Sequence, residues 1–114
     1  MKNTTITSLQ VGVITFNGDH SIIAYCPSLD LTGCGYTEPE ALESFNIVLE
    51  EYLRYTAENN TLIADLEEHG WKIKGSGKLI PPNLSESLHK NKDFNNIVNN
   101  YDFKKQNLSF AISV

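Results

Sequence analysis

At 114 residues the chain has the size of one ordinary domain, and its 40% apolar content excludes wholesale disorder. No apolar run approaches the ~20 residues needed to span a bilayer, and the opening Met1-Lys2-Asn3-Thr4-Thr5-Ile6-Thr7 has no apolar core or cleavage site of a secretory signal, so a cytoplasmic location is expected. The net charge of −5 is unevenly spread: residues 1–69 hold Lys2 and Arg54 against eleven acids, whereas residues 70–114 hold seven lysines against Glu86, Asp93 and Asp102. An acidic body is a poor surface for nucleic acid. It suits a basic protein partner, or a basic tail folded back on its own chain or on a neighbour.

Ser8 to Phe16 reads as a strand rich in Val, Ile and Thr, with Leu9, Val11 and Val13 on one face and Ile14 and Phe16 on the other. Asn17-Gly18 signals a tight hairpin turn with positive φ angles. A second strand follows over Ser21 to Cys26, stopped by Pro27, which cannot donate to a ladder. A turn at Ser28–Asp30 leads to a short third strand ending near Tyr36. A hairpin centred on Asp30 would set Cys26 and Cys34 opposite each other, although two free, part-buried thiols are the expectation in a cytosolic chain.

Thr37 and Glu40 form the T-x-x-E capping box of a helix. Ala41, Leu42, Phe45, Val48, Leu49, Tyr52 and Leu53 then trace one apolar stripe, which must lie on a sheet face. Glu50 and Arg54 are spaced to pair at i, i+4 on the wet side. A shorter helix over Leu62 to His69 ends on Gly70, with Leu66 and Trp71 placed for the apolar contact of a Schellman ending. Trp71 to Lys74 alternates like a fourth strand.

Gly75-Ser76-Gly77 and Pro81-Pro82 form the one linker-like stretch. It divides a domain at residues 1–74 from an extension at 75–114 that packs on the same domain or on a partner subunit. Leu84 and Leu88 suggest a short helix, and Phe94, Ile97, Val98 and Tyr101 a second. Leu108, Phe110, Ile112 and Val114 alternate strictly, as in a half-buried strand that needs a sheet edge in the same chain or in a second subunit. These four are the candidate oligomerisation residues, and a homodimer is expected. The fold class is α+β: an antiparallel sheet of three to four strands with a long amphipathic helix on one face, then a C-terminal helical segment and a terminal strand.

The run Tyr25-Cys26-Pro27-Ser28-Leu29-Asp30-Leu31-Thr32-Gly33-Cys34-Gly35-Tyr36-Thr37-Glu38-Pro39-Glu40-Ala41 resembles the signature of the HicB antitoxin family, and the likeness extends over residues 8 to 74. In that family a strand ending in Y-x-P is followed by an acidic-apolar turn, a G-x-G-x-T strand and an E-A helix entry. The resemblance implies a degraded RNase H-like fold and a protein-binding module that masks a small basic RNA-cleaving toxin. The last residues depart from the DNA-binding half of such antitoxins, so DNA binding is doubtful. The alternative is an orphan oligomerisation domain with neither toxin nor DNA.

No enzymatic constellation is recognisable, and neither a cofactor nor a metal is expected. The first strand carries no acid for a carboxylate–metal centre. His20, His69 and His89 are isolated from one another and from cysteine. Gly75-Ser76-Gly77-Lys78 lacks the first glycine and the hydroxyl residue of a phosphate loop. The residues best suited to contact a basic partner are Asp30 in the turn and Glu43, Glu50 and Glu51 on the helix.

Overall fold

A computed structural model of the chain describes residues 6–74, 78–83 and 92–113. Strands β1 (Ile6–Asn17), β2 (Ile22–Cys26) and β3 (Leu31–Gly35) form an antiparallel meander, followed by helices α1 (Glu38–Glu58) and α2 (Leu62–Glu68). Two-residue strands β4 (Lys72–Ile73) and β5 (Leu79–Ile80) follow, then helix α3 (Lys92–Asn100) and the long strand β6 (Phe103–Ser113). The main sheet has the order β3-β2-β1-β6, antiparallel throughout, and among the described residues β4 pairs with β5 in a separate two-stranded sheet. The α+β class with a long helix on a four-stranded sheet is the one expected from the sequence.

Two expectations about strands need correction. Residues 71–74 do not supply the sheet's fourth strand: Lys72 and Ile73 pair with Ile80 and Leu79 in a separate hairpin. Alternation marks extended backbone, but says nothing about which edge receives it. The fourth strand is β6, which pairs with β1 from Ile6↔Ser113 to Phe16↔Phe103. The edge sought by the C-terminal alternation is therefore found in the same chain. β6 also begins at Phe103, ahead of any apolar alternation, because Lys104, Lys105, Gln106 and Asn107 extend along the template that β1 offers.

The alternation of β1 explains why both sheet faces are covered. Leu9, Val11 and Val13 join Ala24, Cys26 and the α1 residues Ala41, Phe45 and Leu49 in the main core, with Leu62, Leu66, Trp71 and Leu79 closing it. Ile14, Phe16 and Tyr25 point the other way and form a second cluster with Ile97 of α3. Phe16 also meets the ring of Tyr101 at 5.2 Å.

The turns differ from the sequence reading at the first hairpin. Asn17 and Gly18 do not form a two-residue turn with positive φ. Asn17 pairs with Ile22, the intervening loop has four residues, and the Gly18 N–H donates to the Ser21 carbonyl at 2.8 Å. Among the described residues positive φ occurs at Asp30, Asn60 and Gly70. Gly70, at φ 91°, ends α2 as expected: the Trp71 N–H donates to the Leu66 carbonyl and the Gly70 N–H to that of Glu67, with Leu66 and Trp71 both buried. Asn60 ends α1 in the same way, with the Thr61 N–H on the Thr56 carbonyl.

The glycines of β3 are the price of bringing α1 against the sheet. A Cβ on Gly33 would lie 2.3 Å from the Phe45 backbone nitrogen, and one on Gly35 would lie 2.7 Å from that of Ala41. Only hydrogen fits there, and the helix axis is set accordingly. The sequence proposal of a helix at Leu84–Leu88 lies outside the described residues, as do Gly75-Ser76-Gly77, His89 and Val114.

Candidate protein-binding face

Helix α1 is held at its start by four contacts. The Glu40 N–H donates to Thr37 Oγ1 at 3.2 Å, as the capping box requires. The Glu40 carboxylate reaches one residue further back than the box predicts, accepting from the Tyr36 N–H at 3.0 Å. Glu38, in the first turn, accepts from Gln106 Nε2 at 2.9 Å and faces Lys104 Nζ at 3.5 Å. The basic tail thus meets the acidic body within one chain at this point, through β6 and the start of α1.

The apolar stripe of α1 faces the core, and this leaves the opposite side of the helix to solvent. Glu43, Glu50, Glu51 and Glu58 are exposed there, together with Ile47 (57% exposed) and Tyr55 (66% exposed). Helical spacing places Glu43, Ile47, Glu50, Arg54 and Glu58 along one line, with Glu51 and Tyr55 on its flank. Arg54 pairs with Glu51 at 2.6 Å and not with Glu50. This corrects the i, i+4 reading: i, i+3 neighbours also meet on a helix surface, and both groups of the chosen pair are exposed. One arginine against four glutamates leaves this face strongly acidic.

Three of the four proposed contact acids, Glu43, Glu50 and Glu51, therefore share a surface. Asp30 does not join them. It occupies the β2–β3 turn with φ 56°, and its carboxylate accepts from the Tyr25 hydroxyl at 2.8 Å, on the sheet face opposite α1. Sequence reasoning did not single out Ile47 and Tyr55. Both lie outside the stripe running from Ala41 to Leu53, and that displacement was the available signal.

The turn that carries Asp30 is tightly built. Its Asp30 N–H donates to the Cys26 carbonyl at 2.8 Å, Ser28 and Leu29 are buried, and the Trp71 indole N–H donates to the Ser28 carbonyl at 2.8 Å. Cys26 and Cys34 are both free. They do not oppose each other across the hairpin: Cys26 pairs with Leu31 and Cys34 with Ile23. Their positions differ in parity, so Cys26 enters the main core while Cys34 is exposed. Burial pushes the Cys26 thiol above its ordinary pKa, which keeps it protonated and inert.

The second helix is tied to the first by a hydrogen bond from the Tyr52 hydroxyl to the Asp65 carboxylate. Burial, then the neighbouring Asp65, pushes the Tyr52 hydroxyl well above the usual tyrosine range. His69 Nδ1 lies 2.8 Å from the Asp65 carbonyl at the end of the same helix.

An open concavity of about 480 Å³ lies where the start of α1 meets β1 and β6. Phe16, Ile22 and Phe103 give it apolar walls, and Glu38, Asp102 and Lys104 line it with charges of both signs. The Glu38 carboxylate is already engaged by Gln106 and Lys104, so its oxygens are satisfied from within the chain. Among the described residues no group of three or more His, Cys, Asp or Glu side chains converges as a metal site would require. No helix among them is long and apolar enough to cross a membrane. Searches of family models, curated proteins and solved structures find no match to this chain.

Proposed function

We propose that the chain is a HicB-like protein-binding module that neutralises a small basic partner, of the RNA-cleaving toxin kind, by stoichiometric masking in the cytoplasm. The observation that carries this reading is the outer face of α1, where Glu43, Glu50, Glu51 and Glu58 surround the exposed Ile47 and Tyr55. Acids of one sign steer a basic partner to the surface and fix its orientation, and a central apolar or aromatic side chain supplies most of the burial energy. The resemblance of residues 25–41 to the HicB signature supports the same reading from the sequence. The mechanism is occlusion and needs no reacting group.

Recovery of binding partners from native cytoplasm by the full chain, followed by mass spectrometry, tests this. A small basic protein should be recovered in stoichiometric amount, and increasing salt should weaken its capture. Replacing Glu43, Glu50 and Glu51 together by lysine should reduce its affinity by at least about tenfold, since three exposed charges at about 0.5 kcal/mol each come to roughly one decade. Recovery of the protein alone, or undiminished capture by the triple variant, would count against the reading.

A further inference from the structure

We infer that the concavity at the start of α1 is a binding site for a small organic ammonium, a primary amine that carries a short apolar body. The inference rests neither on the outer face of α1 nor on a protein partner.

The register of the sheet gathers the site. β1 and β6 pair with Thr15 opposite Lys104 and Phe16 opposite Phe103. One step further along that register, Asp102 stands opposite Asn17. Strand alternation puts Thr15, Asn17, Asp102 and Lys104 on one face, the face that Leu9, Val11 and Val13 turn to the main core. Ile22 pairs with Asn17 and packs against the same core. Glu38, in the first turn of α1, borders the resulting concavity of about 480 Å³.

The Thr15 hydroxyl points to a ligand. Thr15 is only 4% exposed, yet its hydroxyl makes no hydrogen bond among the described residues. Buried side-chain hydroxyls are mostly hydrogen-bonded. Among the described residues no side-chain oxygen is sealed from solvent without a partner. The Thr15 hydroxyl therefore keeps an outlet, and the concavity that Thr15 lines provides it. An unused polar group thus lies at the floor of a cavity large enough for a small molecule.

Charge selects the class of ligand. The charged residues lining the concavity are Glu38, Asp102 and Lys104. Glu38 is engaged on both oxygens, by Gln106 Nε2 at 2.9 Å and by Lys104 Nζ at 3.5 Å, so the charges of Glu38 and Lys104 offset each other. Asp102 makes no hydrogen bond or ion pair among the described residues, and its carboxylate is the charge left over. In the continued register Asp102 lies diagonally across the β1–β6 pair from Thr15, and such neighbours are about 7–8 Å apart. One ammonium spans that gap, donating to the Asp102 carboxylate on one side and to the Thr15 hydroxyl oxygen on the other. An anion would instead face the carboxylates of Asp102 and Glu38. Phe16, Ile22 and Phe103 supply the apolar lining, which favours an amine with an apolar body over a bare inorganic cation.

Titration of the isotope-labelled full chain with phenethylamine at neutral pH, followed by amide chemical shifts, tests the site. Saturable shifts are expected at Thr15, Asn17, Ile22, Asp102, Phe103 and Lys104, with a dissociation constant in the millimolar range or below. Phenethyl alcohol keeps the ring and loses the charge, and phenylacetate reverses it; each should bind at least about tenfold more weakly. Asp102→Asn should weaken amine binding by about tenfold, as loss of a charged hydrogen bond does. Thr15→Val should weaken it several-fold without lowering the thermal midpoint, because the hydroxyl removed has no partner within the described chain. An absence of saturable shifts, equal binding of the alcohol, shifts centred on Glu43 and Glu50, or amine affinity unchanged in Asp102→Asn would each overturn the inference. A lower midpoint for Thr15→Val would show that the hydroxyl serves the fold, and would overturn it as well.

Discussion

A methyl group on Gly33 would have to share space with the backbone nitrogen of Phe45, only 2.3 Å away. Backbone cannot swing aside as a side chain can, so α1 must lift from β3 or the strand must bend. Gly33→Ala should therefore destabilise the fold by about 2 kcal/mol or more, as overpacking does, measured by urea unfolding. Gly12 is the internal control. A Cβ there would meet Lys105 at 3.5 Å and Asn107 at 3.7 Å, which are ordinary contacts, so Gly12→Ala should stay within about 0.5 kcal/mol of the native protein. Equal losses at the two sites would show that close helix approach is not the cause. Asp30 illustrates the opposite case, a charged residue whose local role is structural. Its left-handed backbone and its bond to Tyr25 account for an acid at that turn without reference to any partner.

At the scale of elements, the bond from Tyr52 to Asp65 is the polar tie between α1 and α2. Asp65 is partly exposed and can be rehydrated, so Tyr52→Phe should cost about 1 kcal/mol at neutral pH. The pH dependence has a definite sign. The folded-state pKa of Tyr52 is raised above its unfolded value, so the native state holds the proton longer. Its contribution is complete below the unfolded value of about 10 and is lost as pH climbs beyond it. The native protein should lose stability more steeply than Tyr52→Phe above about pH 10, as followed by urea midpoints. Parallel losses would remove Tyr52 as the cause. The same scale shows what was legible in the chain. The α1 stripe, the Thr37 cap and the Gly70 ending rest on local spacing, and each recurs in the structure. The pairing of β6 beside β1 and the diversion of Lys72–Ile73 into a separate hairpin depend on partners distant in sequence, which alternation cannot specify. Asn17-Gly18 failed for a related reason: the register of β1 on β2 requires a four-residue loop. On the candidate face, the three helical acids were legible because helical spacing groups them, and Asp30 was not separable from them until the hairpin was placed.

For the whole molecule, the decisive interaction joins opposite ends of the sequence. β1 has a partner on its β2 side over four residues and on its β6 side over eleven. Closing that ladder brings together residues about a hundred positions apart, a costly ordering step that slows folding. Removing residues 103–114 would leave the first half of β1 without a strand on either side among the described residues, with Leu9 and Val11 losing the strand beside them. That truncation should abolish cooperative thermal unfolding as seen by circular dichroism. A sharp transition at the native midpoint would mean that residues 1–102 hold their fold without β6.

Trp71 deserves a last consequence, as the chain's single tryptophan. Its ring is 3% exposed within the main core, and its indole N–H is fixed on the Ser28 carbonyl. The molecule thus contains one indole fluorophore, excited apart from the five tyrosines at the long-wavelength edge of the absorption band, shielded from water and attached to the β2–β3 turn. Its emission reports whether that turn and α2 remain packed together, and it is remote in kind from the charged outer side of α1. A partner settling on the acidic helix would leave the colour of that emission unaltered, whereas unfolding would shift it to the red. Loss of binding and loss of fold can therefore be told apart in one cuvette without adding a label.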